Sequence, residues 1–412
     1  MTKKWPFSHL VTLIIMIPLV SFYSFSLDLY IPLLPSIGND LGSNIQTMQY
    51  TNSLFMLFCG IGQIVFGPLS DHYGRLPTLK GSLIIFALAN IICMYAWTFP
   101  ILLLGRILQA IGACGSYLCC FATIRDIYQD ENECAAMFSY LNIANSLSAI
   151  CAPTLGTLLG RTFGWPSIFF VLGIAAICSL GYTLIAVETT SSKPSTLNLS
   201  QLITSYRDVF FHPNYQLFTL PAAIGFGTFF AYYCISPYLY IETMGFSKLA
   251  FSIFYGSCGI TFLVGSYICG QLLQRIGILN TINIGLACHA LGACLLLQGF
   301  WLTGSPNIYF IHPAVLLCIW GASFMVGAGI GGTMAPFKKS AGVAFAMISC
   351  YKFIAAHSLG DIVMHFYNNT PMSLGICILS LNALSCLLLW AFQNNIVNTI
   401  AQTADTPIRE AS

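Results

Sequence analysis

The chain has 412 residues, of which 57% are hydrophobic and only 7% charged, with a formal net charge of +2. A soluble fold of this length carries roughly a quarter charged residues, so lipid must surround most of this one. The near-neutral balance, without a basic stripe interleaved with aromatics, excludes a nucleic-acid partner. The seventeen cysteines lie scattered in apolar runs without paired CxxC motifs, which excludes a zinc site or a secreted disulfide scaffold.

Lys3 and Lys4 precede an apolar run that superficially resembles a signal peptide. The run continues past residue 30 with no cleavage site at the right distance, so it reads as a retained first helix. Stretches long enough to span a bilayer, about 20 residues each, fall near 10–34, 46–69, 78–97, 99–124, 135–160 and 166–187. Six more fall near 214–240, 249–272, 279–302, 311–334, 340–367 and 372–393. The fold class is therefore an all-α membrane protein of about twelve transmembrane helices in two six-helix halves, 1–187 and 214–393. A polar linker, 188–213, divides them, and a polar, loose tail, 394–412, follows. Lysine and arginine concentrate on one side of this layout, which puts both termini in the cytoplasm.

Most ionisable residues lie at span ends, and those that do not stand out. Asp28 in the first run, Arg106 in the fourth, and Lys352 and Asp361 in the eleventh lie at apparent membrane depth. Each costs several kcal/mol there unless paired or wet, which makes each a functional candidate or part of a structural ion pair. His357, Asp361 and His365 are four apart, hence on one helix face. Carboxylate and imidazoles around a wet outer mouth account for that stripe better than a metal site, and no cofactor is implied.

Between the second and third runs lies Gly67-Pro68-Leu69-Ser70-Asp71-His72-Tyr73-Gly74-Arg75. A loop this short joins antiparallel helices. Gly67 and Gly74 would allow close approach or positive φ, Asp71 would meet the positive end of a neighbouring helix, and Arg75 would be a cytoplasmic cation. A decayed copy, Gly270-Gln271-Leu272-Leu273-Gln274-Arg275-Ile276-Gly277, follows about two hundred residues later and suggests two related halves. Pro153 and Gly156 in the fifth run bend a helix or permit a close crossing.

The pattern Gly-x-Leu-x-Asp-x-x-Gly-Arg at residues 67–75 resembles the loop signature of the major facilitator superfamily. Leu27-Asp28-Leu29-Tyr30-Ile31-Pro32-Leu33-Leu34-Pro35 resembles the first-helix signature of its Bcr/CflA drug-efflux subfamily. Gly105-Arg106-Ile107-Leu108-Gln109-Ala110 is similar to the Arg-x-x-Gln-Gly pattern, with alanine for the last glycine. Arg125-Asp126-Ile127-Tyr128 and Trp165-Pro166-Ser167-Ile168-Phe169 also fit. The fifth-helix antiporter motif is only partly kept, because Ala152 and Thr157 replace two glycines.

The resemblance implies a monomeric transporter in a bacterial inner membrane that exports small amphipathic molecules by alternating access, driven by protons. Asp28 is then the proton carrier and Arg106 its electrostatic partner. Tyr30 and Gln109 would line the substrate cavity together with Lys352 and Asp361, which belong there by their depth rather than by any family motif, and Gly67, Asp71, Gly74, Arg75, Pro153 and Gly156 would serve the gates. Lys352 together with Arg106 favours an anionic or zwitterionic cargo. A proton-coupled importer of a small organic anion uses the same parts, and a non-transporting sensor or scaffold is the reading from another class. No nucleotide-binding loop, HExxH or nucleophile elbow speaks for an enzyme.

Overall fold

The computed structural model describes residues 7–128, 130–183, 199–337 and 341–404, all helices and connecting turns. In order these are α1 (His9–Asp28), a 3₁₀ turn (Ile31–Leu33), α2 (Leu34–Asp40), α3 (Ile45–Tyr73), α4 (Arg75–Met94), α5 (Phe99–Ile127), α6 (Glu131–Phe163) and α7 (Pro166–Tyr182). After the undescribed 184–198 come α8 (Leu199–Phe210), α9 (Pro213–Pro237) with a π-helical extension (Tyr238–Thr243), α10 (Lys248–Thr303), α11 (Ile308–Met334), α12 (Ala341–His365) and α13 (Met372–Ala404). Helices satisfy every backbone group internally, which lipid demands of a spanning segment.

Ten of these stretches are long and apolar enough to cross a membrane. One of them, α10, is two helices joined at Gly277, and the shorter apolar α7 is the twelfth span among the described residues. Local chemistry sets the ends. Asn44 accepts from the Thr47 N–H at 2.7 Å to start α3, and Ser247 accepts from the Ala250 N–H at 3.1 Å to start α10. Pro100, Pro166 and Pro213 sit in first turns, where a missing N–H does no harm.

Four sequence expectations change here. The first run is not one helix: Pro32 and Pro35 break it after Asp28, and it extends to Asp40 rather than residue 34. Residues 67–73 are not loop but the last turns of α3, with Pro68 inside the helix. Within the linker, α8 forms a helix. At the other end α13 continues to Ala404, through residues read as tail. Lys3, Lys4, Lys193, Lys338, Lys339 and Arg409 lie outside the described residues.

The internal repeat is visible in the backbone. Gly74 has φ 100° and ψ 158°, and Gly277 has φ 80° and ψ 176°, so both hinges use one conformation that side chains do not tolerate. Gly67 and its counterpart Gly270 are different. Both are helical and face open space, so Gly67 provides neither the close approach nor the positive φ expected of it.

Two seams join the halves. On α3, Gly60 packs against Cys350 and Phe353 of α12; on α10, Gly256 and Gly259 pack against Ala149 and Ile150 of α6. All seventeen cysteines are unpaired thiols.

The two glycines separate in a simple test. Gly74→Ala forces a backbone costing about 1–3 kcal/mol, so its thermal unfolding midpoint in detergent should fall clearly. Gly67→Ala should match the wild type. Equal midpoints for the two variants would contradict the hinge assignment.

Candidate functional site

Asp28 ends α1 where the prolines that follow turn the chain into the 3₁₀ turn. Its side chain is buried, with the residue 6% exposed. Oδ2 accepts a hydrogen bond from Ser148 Oγ at 2.8 Å, and Oδ1 accepts one from Tyr255 OH at 3.2 Å. Ser148 belongs to α6 and Tyr255 to α10, so the carboxylate touches both halves. One residue earlier, Tyr233 of α9 donates to the Leu27 carbonyl at 2.7 Å. Gly156 lets α6 come this close: a methyl there would overlap the Leu29 carbonyl. Pro153 lies one turn earlier in the same continuous helix.

Arg106 is fully buried on α5. Nη1 donates to the Ser26 carbonyl at 2.8 Å and to Gln109 Oε1 at 2.6 Å, and Nη2 donates to Asn52 Oδ1 at 3.3 Å. The guanidinium carbon lies 4.4 Å from the Tyr30 ring centre and 4.6 Å from that of Phe55. Gln109 in turn donates to Asn90 Oδ1 at 2.8 Å, and the Tyr30 hydroxyl lies 2.9 Å from Thr51 Oγ1.

The expected pairing of Asp28 with Arg106 is not formed. Among the described residues no ion pair includes either of them. The reason lies in α1. Arg106 takes the Ser26 carbonyl, Gln109 and Asn52, while the Asp28 side chain turns to Ser148 and Tyr255. Tyr30 and Gln109 are likewise fully buried and face the guanidinium rather than a cavity.

At the far end of α3, Arg75 joins two motif segments. Its Nη1 donates to Asp71 Oδ1 at 2.5 Å and to Ser70 Oγ at 2.7 Å, while Nε donates to Asp126 Oδ2 at 2.9 Å. Asp71 therefore engages the arginine four residues on. Asp126, at the end of α5, was not read as a site residue; its signal was its place in the Arg125–Tyr128 segment.

The cations and carboxylate of α12 are more loosely held. Lys352 Nζ lies 5.3 Å from the Phe226 ring centre, with no described carboxylate within 4.0 Å. His357 Nδ1 lies 3.6 Å from Asp361 Oδ2. His365 packs edge-on against Phe366 instead of joining them. Among the described residues no three His, Cys, Asp or Glu side chains form a metal-ligand set. Sequence reading also missed His289, fully buried in the second half with its ring nitrogens 3.0 Å from Thr228 and 3.0 Å from Asn382.

A family model described as Major Facilitator Superfamily matches residues 16–356. A chloramphenicol resistance protein of Pseudomonas aeruginosa is 30% identical over 88% of this chain and 85% of its own length. The multidrug resistance protein MdtL of Shewanella sp. (strain ANA-3) is 26% identical over 89% of this chain and 91% of its own. Among solved structures, the xylose transporter XylE from E. coli superposes with TM-score 0.72 at 14% identity, covering 93% of this chain and 97% of that one. A bacterial homolog of the human lysosomal transporter Spinster gives TM-score 0.68 at 13% identity, covering 93% and 94%.

The Arg75 junction makes a ranked prediction. Side-chain exposure is 54% for Asp71 and 21% for Asp126. An exposed pair contributes about 0–1 kcal/mol, whereas removing one partner of a buried pair costs more. Asp126→Asn should therefore lower the thermal midpoint further than Asp71→Asn, and the reverse order would contradict the assignment.

Proposed function

The chain belongs to the Major Facilitator Superfamily and is a multi-pass membrane transporter of small molecules, not an enzyme; we propose that it exports drug-like amphipathic compounds from the bacterial cytoplasm in exchange for protons. The resistance proteins to which it is similar support a drug-class cargo. The bias of lysine and arginine supports an inner-membrane orientation with both termini, α8 and the Arg75 junction on the cytoplasmic side. Each half then runs from a cytoplasmic hinge glycine, Gly74 or Gly277, to a seam on the outer side, and one chain holds the whole machinery.

The observation that carries the proton-coupled reading is the bonding of Asp28. Its carboxylate takes one hydrogen bond from its own half, at Ser148, and one from the opposite half, at Tyr255. Parting the halves on the outer side removes the Tyr255 donor and wets the carboxylate, which then takes up a proton. Closing the outer side and opening the inner one carries that proton across and releases it to the cytoplasm as cargo binds. Arg106 does not exchange charge with Asp28 in this scheme. It holds α1 to α3 and α5, so that the Asp28 backbone stays fixed while the halves rock.

Asp28→Asn tests the reading. An amide keeps an oxygen to accept from one of the two hydroxyls and an NH2 to donate to the other, but cannot release a proton. Cargo affinity, measured by equilibrium binding of chloramphenicol, should stay within about tenfold of wild type. Uptake driven by a pH gradient into inverted vesicles should be lost. Full gradient-driven uptake by this variant would remove Asp28 from the proton path.

A further inference from the structure

The linker helix α8 belongs by its packing to the second half. Val209 is 2% exposed and packs with Tyr215 of α9, with Phe337, and with Ala344 and Met347 of α12; Tyr206 lies against the same cluster. Yet the Tyr206 hydroxyl reaches into the first half, where it donates to the Ile64 carbonyl of α3 at 3.2 Å. Ile64 precedes the Gly74 hinge by ten residues, roughly 15 Å along the helix, so the bond meets α3 well inside its span.

That carbonyl has lost its own donor. In an α-helix the C=O of residue i accepts from the N–H of residue i+4. Four residues after Ile64 stands Pro68, inside α3 and without an N–H. Lipid offers no water to fill such a gap, so the donor has to come from the protein. In α9 it comes from next door: Pro237 vacates the Tyr233 carbonyl, and Ser236 Oγ, on the residue before the proline, donates to it at 3.1 Å. In α3 the residue before the proline is Gly67, which has no side chain to offer. The next hydroxyl along α3, Ser70, is committed to the Gly67 carbonyl and to Arg75. The first half therefore borrows its donor from α8.

We propose that Tyr206 is a positioning residue for transport, a latch that holds the cytoplasmic side shut by lending a hydroxyl of the second half to a carbonyl that the first half cannot satisfy. The latch rests on the two-half motion of the export reading. When the cytoplasmic ends part, α8 leaves with α9 and α12, and the Ile64 carbonyl stays empty until water reaches it. The inward-closed form is favoured by that difference, and each turnover breaks and remakes the bond. The Tyr206 ring packs on the second half in either state, so the hydroxyl alone carries the effect.

Four full-length chains test this: wild type, Tyr206→Phe, Pro68→Ala and the double variant. Hydrogen–deuterium exchange over residues 64–73, measured in lipid nanodiscs, reads the latch without cargo or a proton gradient. Tyr206→Phe should speed exchange there several-fold. In the Pro68→Ala background, where the new N–H supplies the donor, the same substitution should change nothing. Chloramphenicol uptake into inverted vesicles is measured in parallel. Tyr206→Phe should lower KM and kcat together several-fold, because the inward-open form is more populated and slower to close, and again only where Pro68 is present. Gly67→Ser, which copies the Ser236–Pro237 arrangement, is a second background in which the effect should vanish and serves if Pro68→Ala does not fold. Equal effects of Tyr206→Phe in satisfied and unsatisfied backgrounds, or no effect in any, overturn the proposal. The expected exchange pattern without wild-type flux keeps the latch and removes export; flux with exchange indifferent to Tyr206 does the opposite.

Discussion

A guanidinium with no carboxylate in reach has to be satisfied by neutral acceptors, and much of the first half is arranged around that requirement. Arg106 draws a backbone carbonyl from α1, an amide oxygen from α3 and another from its own helix, with aromatic rings near the guanidinium from the segment after α1 and from α3. The Gln109–Asn90 bond extends the network to α4. Leaving a buried charge without such partners costs several kcal/mol, so helices that meet at Arg106 are not free to slide past one another. This gives the first half a rigid interior. It also explains why Tyr30 and Gln109, placed by their motifs where cargo is expected, hold the cation.

Asp28 has the opposite design. Its partners are hydroxyls, weaker than a guanidinium and split between two halves that must separate. A salt bridge to Arg106 would have tied the carboxylate to the rigid interior and made it indifferent to the opposite half. With Ser148 of α6 on one side and Tyr255 of α10 on the other, its surroundings depend on the α6–α10 seam. The prolines after Asp28 matter for the same reason. By ending α1 there, they allow the following segment to meet the second half through Lys248, which donates to Ser36, while α1 stays with Arg106.

Much of the fold was legible because lipid permits few solutions. Apolar runs of membrane-crossing length have to be helices, and their number and the Gly74–Gly277 repeat followed from the sequence. The amphipathic α8 was harder to see. Leu202, Ile203, Tyr206, Val209 and Phe210 have helical spacing, yet Arg207 and Asp208 made the segment look like linker. At the site, charge was the visible signal, and it found Asp28, Arg106 and Arg75. Their partners Ser148, Tyr255 and Asn52 are uncharged and distant in sequence, and such residues occur throughout helical membrane proteins. No local pattern marks which of them faces a carboxylate. Gln109 was within reach only because it lies three residues from Arg106 on the same face.

The repeat also shows how one scaffold came to be used asymmetrically. Both hinges keep the same glycine conformation, so the tight return of the chain is a requirement of the backbone in each half. The side chains around it are not repeated. Where the first hinge has Asp71 and Arg75, the second has Gln274 and Ile278. An ion-paired hinge fixes its neighbours in direction, since the Arg75 fork reaches both Asp71 and Asp126. The first half is thereby clamped at its hinge as well as at Arg106. The second half has a buried histidine network and a hinge flanked by Gln274 and Arg275, with no described ion pair at either. Asp28 sits on the half that carries both clamps, yet it is hydrogen-bonded across to the other one.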